Sequence, residues 1–228
     1  VDTGLLNLLA LPTVAILLVY TGIRRQPGIG ILISLVVITH RVWSHPAGLA
    51  WLGFRKQPNW LITVGVALLL GALIALFATT LLEPMVERAT GRAHDLSIAD
   101  TVRGNWKSLV LWLLAVWIFA AVLEEAIFRG YLMRATSDLL GRSAVAWIGG
   151  LLISSVIFGF AHAYQGPSGV ISTGAIGVLI GLIYLQSDAN LWLVILVHGF
   201  IDTIQLMLIS ANLDQRLRSL LIQSGDSN

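Results

Sequence analysis

The chain of 228 residues contains no cysteine. That absence excludes disulfides, thiolate metal ligands, a cysteine nucleophile and cysteine-linked lipid anchors on this chain. Charge is scarce as well: Asp, Glu, Lys and Arg make up 11% of the residues against 57% hydrophobic ones, where a soluble domain has about 25% charged and 45–50% apolar residues. Too little polar surface is present to coat a soluble globule, and the composition is that of an integral membrane protein. A concentration of positive charge is missing too. The formal net charge is +2 and the basic residues are scattered between apolar segments, which gives no footprint for nucleic acid.

What is present is a series of long apolar runs. A helix needs about 20 mostly apolar residues to cross the hydrocarbon, and 4–23, 59–82, 107–133, 145–164, 168–187 and 190–210 meet that length. The stretch 27–43 is weaker, because its apolar core from Ile29 to Thr39 is short and ends in His40 and Arg41; it reads as a tilted or re-entrant segment. The expected architecture is all-α: a single polytopic membrane domain over 1–228 with about seven transmembrane helices and a polar tail over 211–228. The polar interval 83–107 reads as an interfacial amphipathic segment or a solvated loop. Small residues, among them the GxxxG stretch Gly177 to Gly181, supply faces for helix packing. If all seven segments cross, Arg24, Arg25, Arg88, Arg92, Arg103, Lys107, Arg216 and Arg218 share one side and Arg41, Arg55, Lys56, Arg134 and Arg142 the other, a small excess that reverses its meaning if 27–43 does not cross and leaves the orientation open. The compact size points to a prokaryotic inner membrane.

Three of these runs carry ionisable residues: Glu124, Glu125 and Arg129 in one, His162 in the next, His198 and Asp202 in the last. Each such group costs at least ~2.5 to 3.5 kcal/mol inside a bilayer, so it belongs to a bundle interior or a wet cavity. Residues four apart share a helix face. Glu125 and Arg129 are therefore expected to pair, while Glu124, rotated by about 100°, stays free to act as a base. His198 and Asp202 face one cavity by the same spacing, and Phe158, four before His162, closes its apolar side. A carboxylate and an imidazole converging on one water suffice for general-base activation, and a second polar pair can stabilise an oxyanion. The set fits hydrolysis of a peptide bond inside the membrane. The same four residues, Glu124, His162, His198 and Asp202, also fit a zinc site with an open position, so a metal-free and a zinc-dependent hydrolysis both stand open.

EEAIFRGYL at 124–132, FGFAH at 158–162 and HGFID at 198–202 resemble the motifs EExxxR, FxxxH and HxxxN/D in order and on successive helices. They are those of the CAAX prenyl protease and bacteriocin-processing (Abi) family of intramembrane glutamic endopeptidases. The resemblance covers roughly 107–210, the expected catalytic core, with the polar cavity formed by the last four helices. It implies that Glu124 with His162 activates water, that His198 and Asp202 line the oxyanion side, and that Glu125, Arg129 and Phe158 support them. The implied partner is a membrane-associated peptide or protein in the lipid bilayer, with no cofactor. One departure matters: members that cleave prenylated proteins are similar here but carry Asn where this chain has Asp202, and an ionised Asp cannot donate to an oxyanion.

Rival designs are weaker. No His-Glu dipeptide occurs, which removes the HExxH zinc type, and the GxGD aspartates of presenilin-like enzymes are absent. Gly166-Pro-Ser-Gly169 matches the GxSG of rhomboid serine proteases with His198 as a conceivable base, but leaves both glutamates and His162 unexplained. A binding or transport protein using the same buried charges is the reading from another class, although no internal repeat of the transporter kind is visible. His40, His45 and His94, at segment ends or in loops, read as solvated or interfacial.

Overall fold

Asn59, Asn105, Ser143 and Asn190 each accept hydrogen bonds from backbone N–H groups one turn into the helix that follows, satisfying donors a helix start otherwise leaves orphaned. These caps start four of seven long helices in the computed structural model, which describes residues 3–217. They are α1 (Thr3–Ile23), α2 (Pro27–Ser44), α3 (Trp60–Thr90), α4 (Trp106–Leu139), α5 (Ala144–Ala161), α6 (Gly166–Gln186) and α7 (Leu191–Ser210). No strand occurs among the described residues. Helices α2 to α7 are each long and apolar enough to cross a bilayer, and α1 adds the apolar portion Leu9–Ile23. The protein is an all-α, multi-pass membrane protein.

Two segments take definite form. The stretch 27–43 is a continuous helix: α2 has 18 residues, about 27 Å at 1.5 Å per residue, and His40 and Arg41 lie in its last turns. Part of the polar interval after Leu82 is helical. Glu83–Thr90 continues α3, so the helix carries its first acidic residue inward.

Both long helices contain widened turns with hydrogen bonds from i to i+5. In α3 the widening covers Ala78–Leu82 and ends at Glu83; in α4 it covers Val116–Glu124 and Ala126–Met133, on either side of Glu125. Such π turns are rare and tend to mark functional positions.

Helix α5 packs along α6, α3 along α7, and α1 against α2 and α5. These contacts are close because glycine faces them. A Cβ on Gly159 would lie 2.5 Å from the Val170 carbonyl oxygen, and one on Gly177 would lie 3.1 Å from the Phe158 ring, so the GxxxG of α6 is a packing face. Ser154 Oγ donates to the Phe128 carbonyl at 2.7 Å and ties α5 to α4. One end of the bundle gathers the turn at 24–26, the loop at 91–105 and the turn at 162–165, joined by Arg25 to the Tyr164 carbonyl and Asp95 N–H to the Gln165 carbonyl. The other end gathers the segments 45–59, 140–143 and 187–190, joined by Gln57 and Asn190 and by Leu191 N–H to the Gly53 carbonyl.

Gly150→Leu tests the α4/α5 contact, since a Cβ there would meet the Met133 carbonyl oxygen at 2.5 Å. Overpacking of this kind costs about 1–3 kcal/mol, and the thermal unfolding midpoint in neutral detergent should fall by several degrees; an unchanged midpoint refutes the contact.

Candidate active site

Glu125 is fully buried, and a buried carboxylate must find donors. Its Oε1 accepts from Arg129 Nη1 at 2.6 Å, the expected pairing one turn along α4, and from His198 Nδ1 of α7 at 2.7 Å. Because the carboxylate oxygen accepts, Nδ1 carries a proton. Arg129 donates its other terminal nitrogen to the Gly177 carbonyl of α6 at 3.0 Å and lies over the Phe158 ring of α5 at 4.7 Å. All four last helices thus meet at one ion pair.

Glu124, one residue earlier, turns the other way. Its Oε2 faces His162 Nε2 at 3.8 Å, beyond direct hydrogen bonding but close enough for both to hold one water. His162 Nδ1 lies 2.9 Å from the Phe158 carbonyl. A carbonyl only accepts, so Nδ1 is the protonated nitrogen and Nε2 presents its lone pair toward Glu124 in the neutral ring. Phe158 meets both imidazoles edge-on, at 4.7 Å from His162 and 6.0 Å from His198. Asp202 Oδ2 sits 3.6 Å from His198 Nε2. The structure therefore brings Glu124, His162, His198 and Asp202 to one cavity, with Glu125, Arg129 and Phe158 directly behind them.

The cavity measures about 390 Å³. Trp112, Val116 and Phe119 of α4 and Ile201, Leu206 and Ile209 of α7 form an apolar wall. The lining also holds residues that sequence reasoning missed. Glu83 lines the cavity from the end of the α3 π turn, and His94, read as solvated or interfacial, has a side chain only 7% exposed, its Nδ1 3.8 Å from Glu83 Oε1. His94 Nε2 lies 3.2 Å from Gln165 Oε1, which also accepts from Thr173 Oγ1 at 3.0 Å. The available signal was a carboxylate directly after an apolar run, the feature that singled out Glu124.

The loop bearing His94 is fastened at both ends. Arg25 donates to Asp95 at 2.7 Å, and Arg103 forks onto Asp214 at 2.9 and 2.8 Å. Hydrogen bonds from Ser97, then Arg25, hold the Asp95 carboxyl below its ordinary value. A depressed carboxyl contributes stability that is present above its unfolded pKa and lost as pH falls through the folded one, so this fastening is intact at neutral pH.

The serine-protease reading fails on geometry. Ser168 is fully buried, donates to the Arg92 carbonyl at 2.6 Å and shares a 2.7 Å hydrogen bond with Thr90; it anchors the loop and does not line the cavity. For a metal, each imidazole faces a different carboxylate, and no three His, Asp or Glu side chains among the described residues converge as ligands.

The fold and this site define a polytopic membrane protein with carboxylate–imidazole pairs around a cavity among its helices. Residues 106–204, from the start of α4 into α7, match the model of the family described as type II CAAX prenyl endopeptidase Rce1-like, the family to which the three motifs pointed. No curated protein and no solved structure gives a significant match.

A buried pair broken on one side leaves an uncompensated charge costing about 3–5 kcal/mol. Arg129→Met is expected to destabilise the protein by that order, and Arg129→Met combined with Glu125→Leu to lose less than Arg129→Met alone. Thermal unfolding of the three proteins checks the sign; strictly additive losses remove the pair from its central place.

Proposed function

We propose that the protein is an intramembrane endopeptidase that hydrolyses a peptide bond of a membrane-associated substrate with a water activated by Glu124 and His162. The observation that carries this is the opposition of Glu124 Oε2 and His162 Nε2 across 3.8 Å at the cavity wall, with the imidazole orientation fixed by the Phe158 carbonyl. The family match supports the class of reaction.

In this mechanism a water held between the two groups loses a proton to Glu124 as its oxygen attacks the scissile carbonyl carbon. The carbonyl oxygen becomes an oxyanion and needs a donor. His198 supplies it when the ring is doubly protonated. Nδ1–H is engaged by Glu125, while Nε2, 3.6 Å from Asp202, is not consumed by a hydrogen bond and is free to donate. Asp202 orients that ring. Collapse of the tetrahedral intermediate breaks the C–N bond, and the proton held by Glu124 passes to the leaving amine. No metal is required. The apolar wall of α4 and α7 suits a hydrophobic or lipidated segment, so prenylated and bacteriocin-type substrates both belong to the class accepted. The cavity lining includes His94, Leu96, Gln165 and Asp214, at the end of the bundle bearing Arg24, Arg25, Arg88, Arg92, Arg103 and Lys107.

The test is cleavage of a panel of membrane and prenylated peptides by the purified protein and by Glu124→Gln, with and without a strong chelator. Loss of general-base catalysis is expected to reduce turnover by about 10²- to 10⁴-fold while the unfolding midpoint holds, and the chelator is expected to change nothing. Full activity in a folded Glu124→Gln protein sinks the proposal. Chelator-sensitive activity restored by zinc replaces it with the metal-dependent version.

A further inference from the structure

Eleven buried side-chain polar atoms in the described residues have no hydrogen-bond partner. Three belong to Glu124, Glu125 and His94, in or beside the cavity, where substrate and water are expected. Six others gather at the opposite end of the bundle: Nε and Nη1 of Arg41, the Tyr131 hydroxyl, Nη2 of Arg134 and the hydroxyls of Thr136 and Ser137. They lie on the last turns of α2 and the second half of α4.

Trp51 holds this layer together. Arg41 lies over its ring at 5.2 Å, His45 stacks on it at 5.2 Å, and Tyr131 meets its edge at 6.1 Å. Arg134 donates only to the neutral Tyr184 hydroxyl, at 2.9 Å. The charged groups that act on His45 are Arg41, Asp138, Arg142 and Arg134, and Arg55 and Glu125 also act on Tyr184. Asp138 is already engaged, by Arg142 at 2.7 Å and by Trp51 Nε1 at 3.4 Å, and Glu125 by Arg129 and His198. His45 sits among these charges, and burial first, then Arg41, hold its imidazole below its ordinary value. Arg41 and Arg134 are thus left as two guanidinium groups with no acidic partner, one of them 8% exposed.

A buried guanidinium without an acceptor is strongly unfavourable. The missing partner must supply negative charge and several acceptor oxygens, which is the chemistry of a phosphate. It must also reach the ends of membrane helices. Trp43, 86% exposed on α2 two residues from Arg41, marks the lipid–water interface there. We propose that the layer formed by the end of α2, the turn around Trp51 and the end of α4 binds the phosphate of an anionic phospholipid headgroup. The site is separate from the cavity and does not rest on the proteolytic reading. Arg41 and Arg134 grip the phosphate oxygens and the Tyr131 hydroxyl donates to one of them.

The experiment uses the full chain, stripped of lipid in neutral detergent, and follows its thermal unfolding midpoint on addition of phosphatidylglycerol, phosphatidylcholine or inorganic phosphate. Native mass spectrometry of the same samples counts retained lipid. Phosphatidylglycerol at about a hundredfold excess over Kd is expected to raise the midpoint by about 5 °C or more and to remain bound, with phosphatidylcholine doing neither. Arg41→Gln, Arg134→Gln and Tyr131→Phe should each reduce the phosphatidylglycerol shift, Tyr131→Phe least. The last two variants keep the test open if Arg41→Gln does not fold. Equal shifts with both lipids overturn the proposal, as does a full phosphatidylglycerol shift in Arg134→Gln and Tyr131→Phe. An equal rise with inorganic phosphate alone replaces the lipid with a soluble phosphate.

Discussion

One oxygen atom, Oε1 of Glu125, accepts hydrogen bonds from both Arg129 and His198, and the rest of the site depends on it. A fully buried carboxylate in a membrane protein has no water to fall back on, so it is tolerated only with strong, charge-assisted donors. Satisfying it fixes the register of α7 against α4, because only one residue of α7 can present Nδ1 there. Asp202, one turn further along α7, is then carried into the cavity. Arg129 extends the constraint to α6 through the Gly177 carbonyl and to α5 through the Phe158 ring. The last four helices of the chain acquire one common reference point.

That arrangement separates two adjacent glutamates by function. Glu125 is tied by its Oε1 to Arg129 and His198, whereas Glu124 makes no such bond and has an imidazole opposite its Oε2. The widened turns of α4 surround the pair, and α3 repeats the device on a smaller scale, ending its π turn at Glu83 opposite His94 at the same 3.8 Å. Glu83 and His94 lie outside the segment 106–204 that matches the family. The matched core thus supplies the Glu124–His162 pair and the preceding part of the chain supplies a second, Glu83–His94, to the lining of the same cavity.

Much of this was legible before any coordinates. Apolar runs of the required length gave six of the seven helices directly, since hydrocarbon thickness is a constraint that sequence must obey. The i, i+4 spacing of Glu125 and Arg129 foretold their pairing, and the cost of buried charge singled out Glu124, His162, His198 and Asp202, which line one cavity. What escaped did so for physical reasons. The full length of α2 was hidden by His40 and Arg41, which a helix end at the interface accommodates. The π turns have no compositional signature. His94 sits in a loop whose polarity looks solvated, and only the fastening by Arg25, Asp95, Arg103 and Asp214, between residues as many as 111 positions apart, reveals that it is folded inward. The bond between Glu125 and His198 also crosses helices, and no local spacing encodes it.

Asp202 is where the resemblance and the geometry have to be reconciled. In the similar enzymes that act on prenylated proteins the position carries Asn, whose amide can donate to an oxyanion; an ionised Asp cannot. Here the carboxylate faces His198 Nε2 across 3.6 Å, too far for a hydrogen bond and near enough for Coulomb attraction. With Glu125 on Nδ1 and Asp202 beyond Nε2, the ring lies between two carboxyl groups, and Nε2 is not tied up in a bond. In the proposed mechanism the donor that an Asn would contribute at position 202 is moved one turn back to His198, and Asp202 orients that donor. The departure from the motif then changes which atom stabilises the oxyanion and leaves the reaction possible.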